Sequence, residues 1–195
     1  TSHLEAFGPR PDIVVSGPNL GLNTGRSVLH SGTVGAALAA QNFGMRGPAV
    51  SLAVSEEWPF DTACQYPIEL LKALANGPER CALNLNVPAL PYDQTKGLRW
   101  GGLAEFGSVR SQIVDQAEGK LFFDLVETEY NAPADSDLGL VNAGFAAVTS
   151  LQCSAEVWSA NLASNTDYQA SSPMPAASSG DVLKAAQVFG PTTQN

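Results

Sequence analysis

Apolar and polar positions fall into regular blocks along the first half of the chain. Pro11–Val15 (PDIVV) is a short apolar run bounded by Pro and by Ser-Gly, which predicts a buried parallel strand. Small and apolar residues from about Thr33 to Gln41 predict a helix ended near Gly44, and its alanines let it lie close against a sheet. Ala49–Val54 (AVSLAV) reads as a second buried strand. Between Asp61 and Ala75 the apolar positions Cys64, Ile68, Leu71 and Ala75 recur at helical spacing, and Pro67 makes that helix either start or kink there. Cys81–Val87 (CALNLNV) reads as a third strand, stopped by Pro88.

This rhythm of strand, helix, strand, helix, strand favours an α/β fold, a Rossmann-like parallel sheet sandwiched by helices. Beyond Pro88 the rhythm changes. A turn is expected near Lys96-Gly97, and Leu121–Glu127 and Phe145–Thr149 read as strands of hairpins in an antiparallel extension. Ser171–Gly180 (SSPMPAASSG) has the composition of a linker, and Asp181–Val188 reads as a short terminal helix. The expected organisation is one α/β domain over residues 1–170, followed by a linker and tail over 171–195.

The chemistry concentrates in residues 14–37, VVSGPNLGLNTGRSVLHSGTVGAA. A strand runs into a loop rich in Gly and Asn, and the loop runs into Ser31-Gly32-Thr33 at the start of a helix. Strand, glycine loop and helix N-terminus make backbone N–H groups converge where an anion can bind, which points to a phosphate. A nucleotide-binding P-loop would need Lys after Gly, and none is present. Asn19 offers a neutral carbonyl oxygen suited to a hard cation, or it satisfies its own loop. Asn23 either donates to a phosphate oxygen or ties the loop down. Ser31 and Thr33 suit an ordinary helix cap, which does not prevent phosphate binding at the same terminus.

Charge narrows the partners. With 10 Lys and Arg against 19 Asp and Glu the chain has a net charge of -9, which argues against sequence-independent binding to duplex nucleic acid. No apolar run reaches the ~18–20 residues of a membrane span. The three cysteines, Cys64, Cys81 and Cys153, are odd in number and widely spaced. They read as buried or partly buried free thiols in a reducing, cytoplasmic setting. Two nucleophile readings fail. His30 and Ser31 are sequence neighbours without an orienting third group, and Thr1 has no base near it. The acidic run Asp124, Glu127, Glu129, Asp135 and Asp137 reads mostly as a solvated face.

Ser16-Gly17-Pro18-Asn19, Gly21-Leu22-Asn23-Thr24-Gly25 and Ser31-Gly32-Thr33-Val34-Gly35-Ala36-Ala37, in this order, resemble the signature of the SurE family of stationary-phase survival proteins. The likeness continues through Leu83–Pro88, Ser136-Asp137, Gly144-Phe145 and Val148-Thr149, and spans roughly Leu4 to Leu151. It implies a metal-dependent nucleotidase, a phosphoric monoester hydrolase, acting on nucleoside 5′- or 3′-monophosphates. It also implies a C-terminal β-hairpin extension that builds a homodimer or tetramer. The family's single divalent metal, Mg²⁺ or Mn²⁺, takes two adjacent aspartates, a serine and the SGxN asparagine.

By this resemblance Asn19 is a metal ligand, and Asn23, Ser31, Gly32 and Thr33 contact the phosphate. Ser16, Gly17, Gly21, Gly25 and Asp137 shape the loops. The Asp-Asp strand and the serine loop of the family have no counterpart in this sequence, a difference of roughly one βαβ unit. Beyond Asn19 the chain is thus expected to hold no catalytic group, and full activity is expected to need an Asp-Asp segment, on a separate partner among the expected arrangements. The alternative expectation is a non-catalytic phosphate-binding or oligomerisation module of the same descent.

Overall fold

The computed structural model describes residues 4–75, 77, 80–117 and 119–152, all within the first of two compact units, residues 1–155. The expected boundary at 170, the linker, the terminal helix and Cys153 lie outside the described residues.

Three parallel strands lead the sheet: β1 (Ser16–Leu20), β2 (Arg46–Leu52) and β3 (Cys81–Val87). Helix α1 (Gly32–Asn42) connects β1 to β2, and α2 (Phe60–Ala75) connects β2 to β3. After β3 come β4 (Leu98–Trp100), a hairpin of β5 (Val109–Ala117) and β6 (Lys120–Glu127), α3 (Asp137–Asn142) and β7 (Ala146–Leu151). The five-stranded sheet has the order β1-β2-β3-β7-β4, and β5-β6 form a separate two-stranded ribbon. A helix-covered parallel arrangement is therefore correct for β1 to β3, and the hairpin stands apart as expected.

Several local expectations change. The first strand does not occupy Pro11–Val15. Ile13 makes only an isolated bridge to Arg46, and the strand proper begins at Ser16. The ladder slips between Ser16 and Asn19, around the cis Gly17–Pro18 peptide, because Pro18 has no N–H to donate and Gly17 leaves the extended region at φ 113°. Val15 is half exposed rather than buried, since β1 is the edge of the sheet among the described residues.

Phe145–Thr149 does not belong to the hairpin extension. As β7 it enters the main sheet between β3, antiparallel, and β4, parallel. Its run of small apolar residues suits a strand covered on both faces, which Ala146, Ala147 and Val148 are. Helix α2 does not start at Pro67 but runs through it from Phe60. Cys64 is exposed, not buried. Cys81 is buried, and burial pushes its thiol above the usual range, so it stays protonated at neutral pH.

The two faces of the sheet differ in chemistry. Leu83, Leu85 and Val87 of β3 join Val50, Leu52, Ala146 and Val148 under Ala63, Tyr66, Leu70 and Leu74 of α2. Alternation sends Asn84 and Asn86 to the opposite face, together with Ser51 of β2. That face is covered by α1 through Val34 and Ala37 on Ala49, and by α3 through Leu140 and Val141 on Ala147. Between these two apolar patches the buried surface is polar, and the glycine loop lies on it.

Candidate functional site

Residues 21–25 bind to this polar surface through Asn23. Its backbone N–H donates to Asn86 Oδ1 at 2.8 Å, and its carbonyl accepts from Asn84 Nδ2 at 2.7 Å and Asn86 Nδ2 at 3.1 Å. Its own Nδ2 donates to Ser51 Oγ at 2.7 Å. Asn23 is only 7% exposed, so this network holds the loop to β2 and β3 from inside. An amide nitrogen carries two protons, and one remains for a ligand. The anchoring trio Ser51, Asn84 and Asn86 is a part of the site that the motif reading passes over. Its signal is the Leu-Asn-Leu-Asn alternation inside an otherwise apolar strand.

Two buried polar atoms flank this hub without a partner among the protein groups described, Thr24 Oγ1 and Asn84 Oδ1.

Asn19 stands at the carboxyl end of β1, level with Ser51 of β2. Its Nδ2 donates to Gly21 O at 2.8 Å. That bond fixes which way the amide faces and leaves Oδ1 without a hydrogen bond among the described residues. The backbone N–H of Gly21 donates to Leu52 O at 2.8 Å. Asn19 thus satisfies its own loop with nitrogen and keeps its oxygen, the atom a hard cation takes.

The loop enters α1 through a 3-10 turn, Gly25–His30. Ser31 caps the helix, its Oγ accepting from Val34 N–H at 3.1 Å. The helix itself supplies no acceptor for the N–H groups of Gly32 and Thr33, and its positive end lies there. His30 is exposed while the Ser31 hydroxyl is engaged in the cap, so the two do not form a nucleophile pair.

Asp137 closes the site from below. It is fully buried at the start of α3, following the Ser136 cap. Its Oδ2 accepts from Gly25 N–H at 2.9 Å, and its Oδ1 accepts from the N–H groups of Ala104 and Leu138, each at 2.8 Å. One carboxylate therefore joins the glycine loop, residues 104–107 and α3. Burial pushes its pKa up, against the pull of these backbone donors. Gly25 makes the close approach possible: at φ 52°, a Cβ there would lie 2.3 Å from Phe106 O. Ser16 and Gly17, by contrast, sit in the ladder at the entry to β1, one pairing with Ala49 and the other against Val50 O.

Among the described residues no group of three His, Cys, Asp or Glu side chains could hold a metal ion. Asn19 Oδ1 fits one position in the shell of a hard cation, and further ligands are needed to complete it. No helix among the described residues is long and apolar enough to cross a membrane.

Comparison with known proteins agrees with this arrangement. The family described as Survival protein SurE matches residues 2–109. The 5'/3'-nucleotidases SurE of Yersinia pseudotuberculosis and Yersinia pestis are each 36% identical over 149 residues, covering 74% of this chain and 58% of theirs. The chain thus spans a little over half the length of these relatives. The crystal structure of the Sure protein from Aquifex aeolicus superposes with a TM-score of 0.64 at 28% identity, covering 76% of this chain and 62% of that one. Sequence signature, sheet and curated relatives agree, and the chain belongs to the SurE family.

Proposed function

We propose that this chain carries the phosphate-holding part of a metal-dependent phosphomonoesterase that hydrolyses nucleoside 5′- or 3′-monophosphates. The observation that carries the reading is Asn19, whose oxygen is left free by its own loop. Asn19 would hold one divalent ion, Mg²⁺ or Mn²⁺, which when bound lowers the pKa of a coordinated water to make the nucleophile. The chain's own part is electrostatic. The N–H groups of Gly32 and Thr33, with the remaining proton of Asn23 Nδ2, stabilise charge on the phosphate oxygens. Ser31 fixes the helix terminus that aims them, while Ser16, Gly17, Gly21, Gly25 and Asp137 hold the loop.

In this reading the carboxylate ligands come from an Asp-Asp-bearing segment beside β1, the edge strand among the described residues, where Val15 and Leu20 are 47% and 52% exposed. The cytoplasm, where such nucleotides are abundant, is the proposed location. The apolar hairpin supports a homodimer or tetramer: Ile113, Phe122, Phe123 and Leu125 are each about half exposed or more. Phe123→Glu should halve the mass measured by light scattering at matched concentration, or reduce it further. An unchanged mass would remove the hairpin from the interface.

One observation favours a second reading. The described residues offer no complete metal site, which suits a non-catalytic phosphate-binding or oligomerisation module. Phosphate release from a panel of nucleoside 5′- and 3′-monophosphates, with Mn²⁺, Mg²⁺ or EDTA, separates the two. The enzyme reading expects EDTA-sensitive turnover that falls at least about a hundredfold in Asn19→Ala, the scale of a lost group that acts on the reacting phosphate. No turnover from folded, metal-supplied protein would select the module.

A further inference from the structure

The glycine loop borders a cleft of about 580 Å³ that shares only Asn23 with the proposed phosphate-holding residues. Asn23 is among its lining residues, together with parts of the Gly25–His30 turn and of residues 106–111. Arg26, His30 and Arg110 line it, with the hydroxyls of Ser27, Ser111 and Thr128. No Asp or Glu is among the lining residues. In a chain with 19 acidic and only 10 basic residues, this is a marked local reversal of charge.

Both arginines are exposed, and Arg26 is held on one side by its neighbours. The Arg26 guanidinium lies over the Phe106 ring at 5.3 Å, and one of its nitrogens is 3.7 Å from Glu105, outside the lining. The Phe106 ring in turn meets Tyr130 edge-on at 5.2 Å. The floor is held by Asp137, which bonds Gly25 in one wall and Ala104 below the other. Gly107 packs so closely that a Cβ there would overlap Ser27 Oγ. Arg110 extends from β5 into the same cleft, and it has no ion-pair partner among the described residues.

We infer that this cleft is an anion subsite for the part of the substrate beyond the reacting phosphate, and that the class it favours is a nucleotide bearing a second phosphate group. The Arg110 guanidinium, the Arg26 guanidinium that it supplements, and three hydroxyls are the donors a phosphate monoester takes, and Asn23 links the cleft to the reacting end. The inference rests on the proposed function for what lies at that end. Arg110 and Arg26 are specificity residues here and take no part in the chemical step.

Calorimetric binding of adenosine, AMP and adenosine 3′,5′-bisphosphate in low salt with Mn²⁺ tests it. The bisphosphate should bind about tenfold tighter than AMP, with a steeper loss of affinity as salt rises. Arg110→Ala should erase that advantage and change AMP affinity less than about twofold. A bisphosphate no tighter than AMP, or an Arg110→Ala change that weakens both equally, overturns the subsite while leaving the phosphate reading standing. A bisphosphate that binds through Arg110 while AMP does not bind supports the subsite and counts against the phosphate reading. If neither nucleotide binds, the subsite fails as well.

Discussion

Asp137→Ala should lower the unfolding free energy by about 2–5 kcal/mol. The variant strands three backbone donors, on Gly25, Ala104 and Leu138, that the carboxylate accepts at 2.8–2.9 Å. A stranded buried donor costs about 1–3 kcal/mol, so the three together outweigh what is regained by no longer burying a carboxylate. Urea unfolding followed by fluorescence measures the change. Asp135→Ala, in an exposed neighbour, should stay within about 0.5 kcal/mol of the parent and controls for local charge. An Asp137→Ala protein as stable as the parent would show that the loop does not depend on this clamp.

The same residue sets a pH dependence of known sign. Burial raises the folded pKa above its unfolded value. Between those two values the folded chain holds a proton that the unfolded chain has released, so stability falls as pH rises through that window. The contribution is fully present below the unfolded pKa, and Asp137→Ala should remove that component of the pH profile.

The parts of the fold that are legible in the sequence are those where one local signal suffices. Helix α1 ends near Gly44 because that glycine takes φ 75°, and β3 ends at Val87 because Pro88 follows. The parts that were not legible depend on partners distant in sequence. Strand β5 has all nine residues exposed, so no alternation of burial marks it, and its pairing with β6 defines it. Phe145–Thr149 reads equally well as a hairpin strand or a sheet strand. Its place between β3 and β4 is decided by long-range pairing. Pro11–Val15 looked like a strand from its apolar content alone, but the register is set by the bulge at Gly17–Pro18.

The candidate site divides the same way. Asn19, Asn23 and the Ser31–Thr33 segment are contiguous enough to be read as one motif. Asn84 and Asn86 stand out as polar positions in an apolar strand, but their use depends on Asn23, which is distant in sequence and bonded to both. Arg26 and Arg110 share no motif at all, and only folding brings them to one cleft.

Gly47→Ala and Gly35→Ala should move stability in opposite directions, although alanine is intrinsically favoured over glycine at both. Gly35 lies within α1, and a Cβ there meets nothing within 4 Å. Its replacement should stabilise the protein by about 0.5–1 kcal/mol through helix propensity alone. Gly47 lies in β2 where α1 crosses, and a Cβ there would sit 2.2 Å from Ala37 O and 2.8 Å from Ala37 Cα. Backbone cannot rotate away as a side chain can, so α1 must lift from the sheet, at about 1–3 kcal/mol or more. The gain from losing glycine's freedom in the unfolded chain, about 0.4–1 kcal/mol, does not offset that. The helix that lifts is the one whose first turn is capped by Ser31, so in the proposed enzyme Gly47→Ala should also weaken binding of inorganic phosphate while Gly35→Ala leaves it unchanged. Paired urea titrations and phosphate calorimetry measure both effects. A Gly47→Ala protein with parental stability and phosphate affinity would mean that the helix N-terminus is not held in place by its contact with β2.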